Sequence, residues 1–215
     1  MRLKLLVAAV VVLSLLVIWR MMSGGSSPAD SLNTRMAELH RTGDVEALAV
    51  EAASPDIRTA LRAVETMGYV GPKAVKQLRR ALADRRPQIR QQAATAYAKV
   101  AGPKEVAPLV EIARADESSI VRACAITTLG KVRAHNEMET ILDALNDKDL
   151  VVRRRAYDAV THILGRRYLY DPAAPSARRL ESIAVIRKFW SEIKGVVGKY
   201  HDEARKQNSK ASGAR

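Results

Sequence analysis

Apolar residues recur along this chain at helical spacing, and the runs are punctuated at regular intervals by Asp, Gly and Pro. Val75, Leu78 and Leu82 fall on one face of a helix, and so do Val106 and Val110. These runs open at Gly71-Pro72-Lys73 and Gly102-Pro103-Lys104 and continue to an Asp. The companion helix of each unit opens at Pro55 or Pro87, residues suited to a first helical turn, with Ser54 as an N-cap. Its end is expected near Gly68, Gly102, Gly130 or Gly165, where a left-handed residue suits a helix terminus. Residues 31–53 show a looser pair, with helices around 31–41 and 44–53. A terminal unit of that kind shields the first full repeat from water.

Self-similarity is the strongest signal. Arg58, Arg90, Arg122 and Arg153 align at spacings of 32, 32 and 31 residues. Asp84, Asp116 and Asp147 stand six residues before the last three, whereas the first copy has Ala52 there. Ala93, Ala125 and Ala156 follow three residues after the arginine, with Leu61 in the first copy. A constant period over four registers means a stacked array of one supersecondary unit. Stacking predicts a structural ladder of Asp84, Arg90, Asp116, Arg122, Asp147 and Arg153, with each Arg fork taken by a carboxylate or turn carbonyl of an adjoining turn.

The pattern D-x-x-x-x-[IV]-R-x-x-A at this period resembles HEAT-type repeats, specifically the short phycobilisome-lyase-like variety of bacterial proteins. It covers residues 52–165 well and 31–51 loosely. The resemblance implies an all-α fold, an α-solenoid of about four antiparallel helix pairs, and a role as a scaffold that binds other proteins. HEAT-like metal hydroxylases hold iron with His-Glu pairs. This chain has no His-Glu pair, so that activity is not carried over.

Two segments flank the array. Residues 5–19 hold Ser14 as their single polar residue, and counting from Leu3 to Met22 gives about 20 mostly apolar positions, enough to span a bilayer. An uncleaved anchor and a cleaved secretory signal both fit. Trp19 and Arg20 close the run and no Ala-x-Ala follows, which favours the anchor. Arg2 and Lys4 outnumber Arg20, which orients the N-terminus to the cytoplasm and the repeats to the extracytoplasmic side of a single-pass cell-membrane protein. At the other end, a loop after Gly165 precedes a helix from about Ser176 with Ile186, Phe189, Ile193, Val196 and Tyr200 at 3-4-3-4 spacing. Ile186, Phe189, Trp190 and Ile193 are expected to cap the last repeat, with Arg178, Arg179, Arg187 and Lys188 pointing outward. The expected organisation is an anchor over 1–22, a linker over 23–30, repeats over 31–165, loop and capping helix over 166–200, and a disordered basic tail over 201–215.

Composition narrows the function classes. Hydrophobic residues make up 47% and aromatics 4%, which excludes a disordered chain and argues against a β-sandwich. A single cysteine, Cys124, excludes an intrachain disulfide framework and any multi-Cys zinc site; in its alanine-rich helix it reads as a small buried hydrophobe. His40, His135, His162 and His201 are scattered, and no phosphate-binding loop or nucleophile elbow occurs. No catalytic residue, metal site or cofactor is expected. The net charge is +13: residues 73–110 carry +7, residues 166–215 another +7, and the remaining residues sum to −1. Lys73, Lys76, Arg79 and Arg80 form a candidate basic contact surface for anionic lipid or an acidic partner. The expected function is a membrane-anchored scaffold for an unidentified protein partner. A nucleic-acid binder using the basic surface and an enzyme of unrecognised type are the alternatives, and the charge bias around the anchor disfavours nucleic acid.

Overall fold

The computed structural model describes residues 27–101 and 105–212. Among the described residues the regular structure is helical: α1 (Pro28–Thr42), α2 (Val45–Ala52), α3 (Ile57–Val70), α4 (Val75–Ala81), α5 (Pro87–Ala101), α6 (Ala107–Ala115), α7 (Ser119–Lys131), α8 (Met138–Ala144), α9 (Leu150–Leu164) and α10 (Ser176–Ser212). Short 3-10 turns, Pro72–Ala74 and His135–Glu137, lead into α4 and α8. No described helix is long and apolar enough to cross a membrane. The expected anchor over 1–22 and the Gly102-Pro103-Lys104 helix start lie outside the described residues.

Local chemistry sets the helix ends. Asp44 accepts from the Ala47 amide, Asp56 from those of Arg58 and Thr59, and Asp149 from that of Val151, each filling an orphan donor of a first turn. Asp56, not Ser54, is therefore the cap of α3; Ser54 Oγ instead accepts from the Asp56 amide. Ser27 and Asp30 form a capping box that starts α1 at Pro28, inside the segment expected as linker. Gly43 and Gly165 close α1 and α9 in the left-handed conformation, with φ of 66° at both.

α3, α5, α7 and α9 lie side by side in one layer, with α1 against α3. α2, α4, α6 and α8 form a second layer, each packed on the helix that follows it in sequence. One hydrophobic core runs between the layers, from Met36 and Leu48 to Ile183, Ile186 and Trp190. Ala93, Ala125 and Ala156, at matching repeat positions, are fully buried in it. α3 and α7 end near Gly68 and Gly130 as expected, at Val70 and Lys131, but neither glycine is left-handed. α3 and α7 run past them, and a Cβ at Gly68 would lie 3.0 Å from Ala96 Cβ, one at Gly130 only 2.7 Å from Ala159 Cβ. The two glycines let α3 meet α5, and α7 meet α9, at backbone distance. α10 continues as helix to Ser212, through most of the region expected as a disordered tail.

Candidate protein-interaction surface

The ladder shows how neighbouring repeats are fixed. Arg90 donates from Nε and Nη2 to the two Asp116 carboxylate oxygens at 2.7 and 2.9 Å, and from Nη1 to the carbonyls of Asp84 and Arg85. Arg122 repeats this one unit on, with Asp147 at 2.9 and 2.8 Å and the carbonyls of Asp116 and Glu117. Each guanidinium thus closes its own repeat's turn and grips the next repeat's Asp. Those carboxylates also accept from the Ser118 and Asp149 amides. The hydrogen bonds that Arg90 donates to Asp116 raise the Arg90 pKa against the cost of burial. Burial pushes the Asp116 carboxyl up, but Arg90, the Ser118 amide and Arg122 outweigh it and hold the group below the usual carboxylate range.

Both ends depart from this scheme. Arg153 donates to the carbonyls of Asp147 and Lys148, and its Nε finds the Pro172 carbonyl at 2.6 Å where a further repeat would bring an Asp. At the first junction Arg58 is 85% exposed. The Asp84 carboxylate is taken by Arg86, which also reaches back to the carbonyls of Ala52 and Ser54 at 2.8 and 2.7 Å. Hydrogen bonds from Arg86 hold the Asp84 carboxyl low, against burial. Asp84 joins Arg90 only through its backbone carbonyl. The signal for Arg86 was present in the sequence: an Arg stands where the other copies have Ser54, Ser118 and Asp149.

The C-terminal cap seals the opposite end. Tyr170 stacks on Tyr157 at 5.3 Å and its hydroxyl donates to the Leu145 carbonyl; burial pushes its pKa up to about 12. Tyr157 donates to the Tyr168 carbonyl at 2.7 Å, and Tyr168 meets Phe189 at 5.9 Å. Ile186 and Trp190 are buried, whereas Phe189 and Ile193 are partly buried. Arg178 and Lys188 are exposed, but Arg179 and Arg187 turn inward. Arg187 pairs with Glu139 and Asp143 of α8, and Arg179 bonds Asn146 Oδ1 and the Ala174 carbonyl. The acidic side chains of α8, brought alongside by the fold, draw Arg187 to the repeats.

Among the described residues, two exposed surfaces stand out. Lys73, Lys76, Arg79 and Arg80 are all exposed on the turn before α4 and on α4, with Arg79 near the Tyr97 hydroxyl at 3.4 Å. The other surface is an open groove of ≈ 710 Å³ across α5, α7 and α9. Ile120 and Val151 are exposed apolar residues on it, Lys99, Lys131 and Arg155 are its cations, and Cys124 lines its floor. Cys124 is only partly buried, so the expectation of a core residue is corrected: its Sγ lies 3.5 Å from the Gln91 carbonyl and from Thr95 Oγ1. It packs against the edge of the core between α5 and α7. Among the described residues no group of three His, Cys, Asp or Glu is placed to hold a metal ion.

Two helical layers tied by a repeating Arg–Asp rung and closed by a C-terminal cap define an α-solenoid. The chain belongs to the HEAT-repeat family: the HEAT-repeat profile matches residues 45–130 and 106–180. No curated protein matches the sequence. Among solved structures, it is similar to a chain in the complex of CpcE and CpcF of phycocyanin lyase from Nostoc sp. PCC7120. The identity is 20% and the TM-score 0.49, over 66% of this chain and 88% of that one.

Proposed function

We propose that this HEAT-repeat protein is a scaffold, tethered to a membrane by its N-terminal apolar segment, that holds a protein partner on the exposed face of α5, α7 and α9. The groove carries the reading. Its apolar residues Ile120 and Val151 stand open at matched positions of neighbouring helices, while the core behind them is filled without their help. An exposed apolar strip rimmed by polar side chains is the usual mark of a contact surface. The tether rests on the apolar run of residues 3–22, with the N-terminus in the cytoplasm and the repeats on the extracytoplasmic side. In that position Lys73, Lys76, Arg79 and Arg80 supply a cationic contact for anionic headgroups. No catalytic step is part of the proposal.

The test uses the full chain in its native membrane. Carbonate extraction should leave it in the pellet, and release into the supernatant defeats the tether. A photo-crosslinking residue in place of Thr127, in the groove, should give one reproducible protein adduct. Absence of any adduct there, and from the same residue placed at Arg80, defeats the scaffold reading.

A further inference from the structure

We infer that the groove across α5, α7 and α9 takes an acidic, amphipathic segment of a partner protein. Two of the segment's apolar side chains seat at Ile120 and Val151, and its carboxylates lie over Lys99 and Lys131. The inference rests on the scaffold reading above and adds the partner's chemistry. Ile120 and Val151 occupy one repeat position on adjacent helices and are 59% and 48% exposed. Lys99 and Lys131 likewise share one repeat position on α5 and α7. Packed helices lie about 10 Å apart, so the groove presents an apolar pair and a cationic pair at that spacing. Lys131 stands eleven residues after Ile120 on α7, about 16 Å along it, so a helix of about four turns crossing α7 obliquely places one end between Ile120 and Val151 and the other between Lys99 and Lys131.

The lining between these pairs agrees with that occupant. Ala98, Ala123, Cys124 and Val132 give an apolar floor, and no carboxylate lines the groove. Asp158, at the Val151 edge, is engaged by Arg155 at 3.6 Å. Past Val151 a second recess of ≈ 360 Å³ adds Arg154 beside Pro172, which lengthens the cationic side. Cations outnumber carboxylates in the two recesses, with Lys99, Lys131, Arg154 and Arg155 against Asp158, and complementary charge speeds encounter and rejects basic segments. Nucleic acid fits less well. No aromatic ring lines the main groove for a base to stack on, and three cations set around an apolar floor make no continuous phosphate track. A membrane surface fits less well too, because the apolar floor is recessed between helices.

Cys124 is the chain's single cysteine and lines the groove, so its alkylation rate reports occupancy. The experiment uses the full-length chain in phosphatidylcholine nanodiscs and a helical peptide of about four turns with Leu in its first turns and Glu in its last. At tenfold excess over its Kd the peptide should slow alkylation about tenfold, and salt should weaken the protection. The double variant Lys99→Glu, Lys131→Glu changes exposed side chains only. It should lose protection by the Glu peptide and regain it with a peptide carrying Lys in place of Glu. Four results overturn the inference: no protection by the Glu peptide, equal protection by the Lys peptide on the unchanged chain, protection by a single-stranded oligonucleotide alone, or protection by phosphatidylglycerol vesicles alone. A protein adduct from position 127 with no protection by the Glu peptide leaves the scaffold standing and removes the acidic partner. Failure of both removes both.

Discussion

The junction between the first two repeats and the two junctions after it solve the same problem from opposite sides. In the later pair, Arg90 and Arg122 belong to the preceding repeat and reach forward to Asp116 and Asp147. In the first, Arg58 points to solvent, and Arg86 of the following repeat reaches back to the Ala52 and Ser54 carbonyls while holding Asp84. What stays constant is a guanidinium that bridges a turn carbonyl and the next Asp. The residue that supplies it does not stay constant. The requirement belongs to the turn, whose carbonyls and carboxylate need donors once neighbouring repeats shut water out.

Four measurements can break or sharpen that contrast. The largest effect is expected for Arg122→Ala: its side chain is 4% exposed, and its loss leaves Asp147 with the Asp149 amide as donor and takes the guanidinium from two carbonyls. We expect a loss of about 3 kcal/mol and a drop in Tm of about 10 °C, read by thermal circular dichroism. Arg86→Ala should cost less, about 1 kcal/mol, because that guanidinium is 21% exposed and water can replace part of it. Acid comes next. Unfolded Asp titrates near 3.9 on the usual scale, and Asp84 and Asp116 titrate lower in the fold, so their stabilisation is complete above about pH 4. It is lost as the pH falls through the lower folded-state values. Urea midpoints measured from neutral pH downward should show this slope, flattened in Asp116→Asn. The smallest effect is Arg58→Ala, within about 0.5 kcal/mol in the same melts. A loss at Arg58 equal to that at Arg122 would mean that the consensus position, not the turn, sets the requirement.

Much of the fold was legible from the sequence, because the features that carry it are periodic. The 31–32-residue spacing, the buried Ala93, Ala125 and Ala156, and the Arg column all repeat, and repetition separates signal from local accident. What was not legible depends on a neighbour that the sequence alone does not identify. Gly68 and Gly130 read as helix terminators because glycine commonly ends helices, yet their role is set by Ala96 and Ala159 on the next helix. Arg187 reads as surface charge, yet Glu139 and Asp143, far earlier in the chain, turn it inward. The interaction surface was the least legible. Lys73, Lys76, Arg79 and Arg80 advertise themselves as a cluster on one short stretch. The groove assembles from single residues one repeat apart, such as Ile120 and Val151, and only stacking puts them side by side.

The Pro172 carbonyl against Arg153 bears on how an array like this one lengthens. The Arg90–Asp116 and Arg122–Asp147 rungs share one format, an Arg that reaches the next repeat's Asp, so an in-frame duplication of residues 118–148 supplies both halves of a new rung. A copy spliced in after Gly165 meets an Arg153 already occupied by the loop and displaces Tyr170 from the Leu145 carbonyl as well. Lengthening this array by insertion in the middle would therefore leave the loop after Gly165 in place as the final piece.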